Sequence, residues 1–243
     1  MKIIRSLLEL SNYLEQPGFA GCLADTGFLY AAAFDDDRLY QQAQNALDII
    51  TDRKIPIFVN VVSRMEFIDL IFRKQVTQGM IQLFESMSSS SIHKNIWNLL
   101  KNIRDQSTAH ARDGRSYKVD EARLKKLRMA FEAVSSSFKW EDFCSCYVDQ
   151  KLLAEWRILE EELGLNFVEV LDGQTSEYFE TPLIWSDMVR LMGKHGLRGP
   201  DAMIANLFSK STFSLLVTND SDFQRCFESQ AVSKGNKAIF ILR

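Results

Sequence analysis

Four acidic residues, Asp25, Glu66, Asp201 and Asp220, share one kind of setting in the chain. Asp25 closes the wholly apolar run FAGCLA at 19–24. Glu66 falls in the first turn of a periodic segment that follows the apolar run at 55–59. Asp201 opens DAMIANLFSK behind a Gly-Pro pair. Asp220 follows the apolar run at 213–218 in the turn Thr-Asn-Asp-Ser-Asp. Carboxylates a few ångströms apart repel, and one of them must take up a proton unless a cation neutralises the group. Hard oxygen donors of this type suit Mg²⁺ or Mn²⁺, and Mg²⁺ needs only one or two carboxylates because it keeps several waters. Such an ion can activate water and polarise a phosphoryl oxygen, so the chemistry to expect is metal-assisted phosphodiester hydrolysis.

Each acid also has a plainer explanation. Ser63-x-x-Glu66 matches a capping box, in which the glutamate serves only a backbone N–H. Asp201 after Gly-Pro suits the positive end of a helix dipole. Asp25 and Asp220 could be cap or turn residues. These explanations, taken singly, leave unexplained why all four acids fall just after a strand or at the start of a helix.

The elements that must position them follow from hydrophobic pattern. Short apolar runs at 19–24, 55–59, 166–171, 213–218 and 238–242 read as buried strands. Helical periodicity at 26–34, 38–51, from Ser63 onward, at 182–195 and at 201–210 alternates with them. The alternation predicts an α/β fold with a mostly parallel, five-stranded sheet whose strand ends meet along one edge. Residues 1–18 read as an amphipathic helix with Ile4, Leu7, Leu8, Leu10 and Leu14 turned inward. Residues 75–163 look mostly helical, with serine-rich breaks at 86–91 and 135–137. That is too long for a simple crossover and suggests an inserted helical subdomain within a single domain spanning 1–243.

The 243 residues are 46% hydrophobic, enough for a sizeable core, and no apolar run approaches the length that spans a bilayer. Arg5, Glu9 and Ser11 interrupt the N-terminal apolar stretch, so a secretory signal is not expected. The four cysteines then read as reduced thiols in a cytoplasmic protein. Net charge is −3, but between His93 and Arg128 ten basic residues stand against four acidic ones. Such a block suits a phosphate-contacting surface, or equally a solvated helix face. No phosphate-binding glycine loop and no serine-hydrolase motif is present. Asp25-Thr-Gly27 lacks the D-x-D expected of an aspartate-nucleophile phosphatase.

Ala24-Asp25-Thr26, Glu66 in VVSRMEFIDL, Gly199-Pro-Asp201-Ala202 and Leu216-Val-Thr-Asn-Asp220-Ser-Asp222-Phe223 together resemble the motifs of PIN-domain nucleases, the family that includes VapC toxins. The resemblance covers about 19–74 and 164–243. It implies a three-layer α/β/α sandwich and an Mg²⁺- or Mn²⁺-dependent endoribonuclease that leaves 5′-phosphate and 3′-hydroxyl ends. The four acids would hold the metal, with Asp222 and Thr218 assisting. Expected partners are RNA, contacted by Arg64, Arg198, Arg112, Arg115, Lys125 and Lys126, an antitoxin-like protein, and further copies of the chain in a homo-oligomer. The length and the insertion depart from compact toxins. The alternative is a degenerate PIN-like module that binds RNA or protein without cleaving.

Overall fold

The computed structural model describes residues 1–87, 93–133, 138–169, 173, 177–179, 181–229 and 237–243. Six strands are named in it: β1 (Lys2–Ile4), β2 (Cys22–Ala24), β3 (Ile57–Asn60), β4 (Asn166–Val168), β5 (Leu215–Thr218) and β6 (Ala238–Ile241). They form one sheet in the order β1-β6-β5-β2-β3-β4, and every pairing is parallel. Residues of β2, β3, β5 and β6 are buried throughout, without alternation. That is what strands covered on both faces require.

The sheet has one strand more than the sequence pattern suggested. The extra strand is β1, where an amphipathic helix was expected from the N-terminus. Ile3 pairs with Ile239 and Ile4 with Phe240, and Ile4 is fully buried. The helix begins only after Ser6, whose side chain accepts the Glu9 backbone N–H, so α1 is Leu7–Tyr13. Leu10 and Leu14 turn inward as expected, but Leu8 is 71% exposed. A strand of three residues leaves no periodicity to detect, so the leucine pattern that follows it dominated the reading.

The helices that position the acids are α2 (Thr26–Ala33), α4 (Val61–Ser86), α10 (Gly199–Lys210) and α11 (Ser221–Ser229), with α3 (Tyr40–Asp52) and α9 (Trp185–His195) beside them. Pro200 sits in the first turn of α10, where its missing N–H costs nothing. α9 ends at His195 through Gly196, which takes a left-handed conformation with φ 67°. The strand expected over 166–171 is seen for 166–168, and residues 170 and 171 lie outside the described residues. So does most of the serine-rich break at 86–91, and all of that at 135–137.

The chain divides into two compact units. One comprises Met1–Asp35, Leu39–Phe67 and Leu163–Arg243, and holds the sheet. Its core packs Leu23, Phe58, Phe208, Phe213 and Leu216 among others. The second comprises Asp36–Arg38 and Ile68–Glu162, wider than the insertion anticipated at 75–163. It contains most of α4 together with α5 (Lys94–Arg112), α6 (Glu121–Ala133), α7 (Trp140–Tyr147) and α8 (Asp149–Glu162). Its own core gathers Val76, Met80, Leu100, Phe131, Trp140 and Phe143. Among the described residues, no helix is long and apolar enough to cross a membrane.

Gly79, in α4, leaves little room for a side chain. A Cβ there would stand 2.8 Å from the Cβ of Tyr147 and 3.0 Å from Cζ of Phe143. Alanine in mid-helix gains up to about 1 kcal/mol over glycine, while forcing extra volume into a packed core costs about 1–3 kcal/mol. Packing should win. Gly79→Ala is expected to lower stability by about 1–2 kcal/mol in urea unfolding followed by circular dichroism, despite the better helix former.

Candidate functional site

The parallel topology decides where the acids go. From β2 the chain moves to β3 and then β4 on one side. It returns to β5, on the other side of β2, and continues to β6. The connections after β2 and β5 therefore diverge, which makes the β2–β5 boundary the topological switch point. In open parallel sheets that is where a crevice opens at the carboxyl ends of the strands. Asp25 directly follows β2, and Thr218 ends β5 with Asp220 two residues on. Ala24 pairs with Val217, so the two strand ends leave the sheet side by side.

One hydroxyl joins these two strand ends. Thr218 Oγ1 donates to Asp25 Oδ2 at 2.8 Å and accepts the Asp220 backbone N–H at 2.9 Å. Asp25 is 5% exposed and Thr218 is fully buried. Although Asp25 stands at the N-cap position of α2, its side chain does not cap that helix. The cap explanation fails for Asp25. For Asp220 it holds in part, since Oδ1 accepts the Asp222 N–H at 2.7 Å at the start of α11.

Glu66 is likewise not the partner in a capping box. α4 begins at Val61, and its first-turn N–H at Ser63 is taken by Asn60 Oδ1 at 2.7 Å. Asn60 is therefore the residue that caps α4, leaving Ser63 inside the helix. The Glu66 carboxylate instead accepts from Thr26 Oγ1 at 2.9 Å. Asp201 lies in the first turn of α10, so the dipole explanation stands there and is compatible with a role at the site.

The acids feel one another. Burial pushes the Asp25 carboxyl up to about 7; the Thr218 hydroxyl and Thr26 amide oppose this, while the charges of Asp201 and Glu66 add to it. Burial also raises Asp201, to about 6, reinforced by Asp220 and Glu66, opposed by the exposed Arg198 at the head of α10, and reinforced again by Asp222. The charges of Glu66 and Asp201 thus act on Asp25, and those of Asp220, Glu66 and Asp222 on Asp201. Among the described residues, however, no three His, Cys, Asp or Glu side chains stand as a ready set of metal ligands. The donor chemistry still fits Mg²⁺ or Mn²⁺, because hard carboxylate oxygens are present and one or two suffice for Mg²⁺.

Other expected contacts fall elsewhere. Arg64, on the first turns of α4, lays its guanidinium 4.1 Å from the ring centroid of Phe167. Arg112, Arg115, Lys125 and Lys126 are exposed on the second unit, whereas the acids belong to the first. His93 caps α5, its Nδ1 accepting the Asn95 N–H, and His110 Nδ1 meets the Gln106 carbonyl oxygen; both are in the second unit. Trp140, beside the basic block, is buried against Phe131 and Phe143.

Thr26, Asn60 and Asn219 were missed by sequence reasoning. An Asn before a helical apolar pattern is an N-cap signal, so Asn60 was detectable. Asn219 was not. Its amide lies over Gly27, donating to the Gly27 carbonyl oxygen at 3.4 Å, and any Cβ on Gly27 would collide with it. Comparison with family models, with curated proteins and with solved structures finds no match.

Two outcomes follow from the buried carboxylate. Folded Asp25 holds its proton to about pH 7, whereas an unfolded aspartate releases it near pH 4. The folded state thus binds more protons between these values, and Asp25 lowers stability progressively as pH rises from about 4 to about 7. Asp25→Asn should flatten this slope. In EDTA the variant should gain on wild type between pH 5 and pH 8 in urea unfolding; parallel profiles would show that Asp25 is not a strained acid. Thr218→Val should destabilise at pH 8 by about 1–3 kcal/mol, because it strips a buried carboxylate of its donor and the Asp220 N–H of its acceptor.

Proposed function

We propose that the protein is a metal-dependent endoribonuclease built on a PIN-like, three-layer α/β/α sandwich. The single observation that carries this reading is the Thr218 hydroxyl linking the Asp25 carboxylate and the Asp220 backbone at the switch point, with Glu66 and Asp201 near enough to perturb Asp25. The order of the motifs along the chain supports it.

Asp25 and Asp220 are the residues that would hold Mg²⁺ or Mn²⁺, with Glu66 and Asp201 completing its surroundings. When bound, such an ion supplies an acidified water and charge stabilisation for an in-line displacement at phosphorus. Thr218 fixes the Asp25 carboxylate, and Thr26 fixes one oxygen of Glu66. Arg198, exposed at the head of α10 with its charge reaching Asp201, would meet a phosphate. The exposed cations Arg112, Arg115, Lys125 and Lys126 give the second unit a surface suited to an RNA backbone. In the same reading the protein is cytoplasmic and self-associates, and an antitoxin-like protein is its partner.

A second reading is a PIN-like module that binds RNA or protein without cleaving it. It is favoured by the lack of a ready ligand set among the described residues.

Cleavage decides between them. Purified wild type with Mg²⁺ or Mn²⁺ should cut RNA to fragments carrying 5′-phosphate and 3′-hydroxyl ends. Asp25→Asn and Asp220→Asn should each lose at least about a hundredfold in rate, the scale on which a removed charge-stabilising group acts. Binding without turnover under Mn²⁺, or equal cutting by both variants, would overturn the nuclease reading.

A further inference from the structure

The acids define where a phosphodiester would react but repel the anion that carries it. An uncharged attraction at the same edge would offset that repulsion. β4 is the outermost strand on that side of the sheet, and Val59 pairs with Phe167 while Asn60 pairs with Val168. Phe167 therefore sits one residue from the carboxyl end of its strand, on the edge where Asp25 follows β2 and Asp220 follows β5.

Phe167 is 38% exposed, although the Arg64 guanidinium lies 4.1 Å from its ring centroid. Val61, at 49%, and Met65, at 67%, keep the opening of α4 apolar beside Arg64. Arg64 and Glu66 are two apart on that helix, and residues at this spacing do not face each other. The acid and the cation thus address different sides of the same turn. A planar cation laid on an aromatic ring, next to exposed apolar side chains, is a surface suited to the flat face of a base.

We propose that Arg64 and Phe167 form a stacking platform for one unpaired base of single-stranded RNA, placing its strand against the acidic edge. This rests on the nuclease reading for the identity of the strand, but binding can be measured without cleavage. Phe167 acts as a positioning residue; it touches the base and not the reacting phosphate. A duplex, whose bases are already stacked on each other, has no free face to offer.

The test is fluorescence anisotropy in EDTA with a fluorescein-labelled single-stranded RNA of about 12 nucleotides, and with the same strand in a duplex. Wild type should prefer the single strand. Phe167→Leu should weaken single-strand binding about tenfold, the scale of one lost base–aromatic stack, and leave duplex binding unchanged. Phe167→Tyr should restore it. If Phe167→Leu melts early, Phe167→Ile, a β-branched residue suited to an edge strand, takes its place. Equal single-strand binding by wild type and the non-aromatic variant, equal preference for duplex, or no RNA binding at all would overturn the platform. Wild type that binds through Phe167 yet cuts nothing with Mn²⁺ would sink the nuclease reading and leave the platform standing. Cleavage that persists with unaltered binding in Phe167→Leu would sink the platform alone.

Discussion

A carboxylate held out of water with one side-chain hydroxyl for company is the constraint around which this sheet edge is organised. Asp25 could not remain charged there without compensation, and its protonation range rises to about 7 in consequence. Thr218 provides the larger part of the compensation, with the Thr26 amide beside it. The Thr218 hydroxyl donates to Asp25 and accepts from the Asp220 backbone, so one oxygen fixes an acid on β2 and the turn after β5 together. Neither strand end can shift without breaking a buried hydrogen bond. The turn is braced from its other side too, since Asn219 occupies the space that only a glycine at position 27 leaves open.

Topology explains why residues 193 apart can share that bond. A parallel sheet sends every strand end to one edge, and a reversal of strand order brings two of those ends together with their connections leaving in opposite directions. The helices then add acids without further chain length. α4 starts immediately after β3, and α10 offers Asp201 from its first turn, where a negative charge is favoured by the dipole. Each acid is stabilised locally by something other than its neighbours. That is how mutually repelling groups can be kept close in a folded chain.

The sheet was legible in the sequence because its central strands are buried on both faces and so read as unbroken apolar runs. β1 was not, because three residues at a sheet margin carry no pattern of their own and the leucines of α1 follow at once. Asp25, Asp201 and Asp220 do stand next to a strand end or a helix start, but Glu66 does not lie in a first turn as expected: α4 already begins at Val61, so Glu66 falls in its second turn. The individual bonds of the acids were not legible. Ser63-x-x-Glu66 is a sound local signal, yet tertiary context overrides it: Asn60 takes the cap, and Thr26, forty residues away in sequence, takes the glutamate. Trp140, a large aromatic beside the basic residues, puts its area into the core against Phe131 and Phe143. The exposed aromatic at the acidic edge, Phe167, had no sequence signal beyond membership of a short strand.

Charge is unevenly arranged over the chain for a related reason. In the metal-dependent reading proposed above, an acidic centre that handles an anion needs attraction from outside its own shell, because cations placed among the acids would neutralise them. At Arg64 and Glu66 this separation is made by helix geometry alone, since a spacing of two turns the side chains apart. At Arg198 and Asp201 it is incomplete: the guanidinium lowers the protonation range of the acid, though less than burial and the neighbouring carboxylates raise it. The order of those effects is informative. Desolvation and like charge outweigh Arg198, so Asp201 stays raised even with arginine at the head of the same helix.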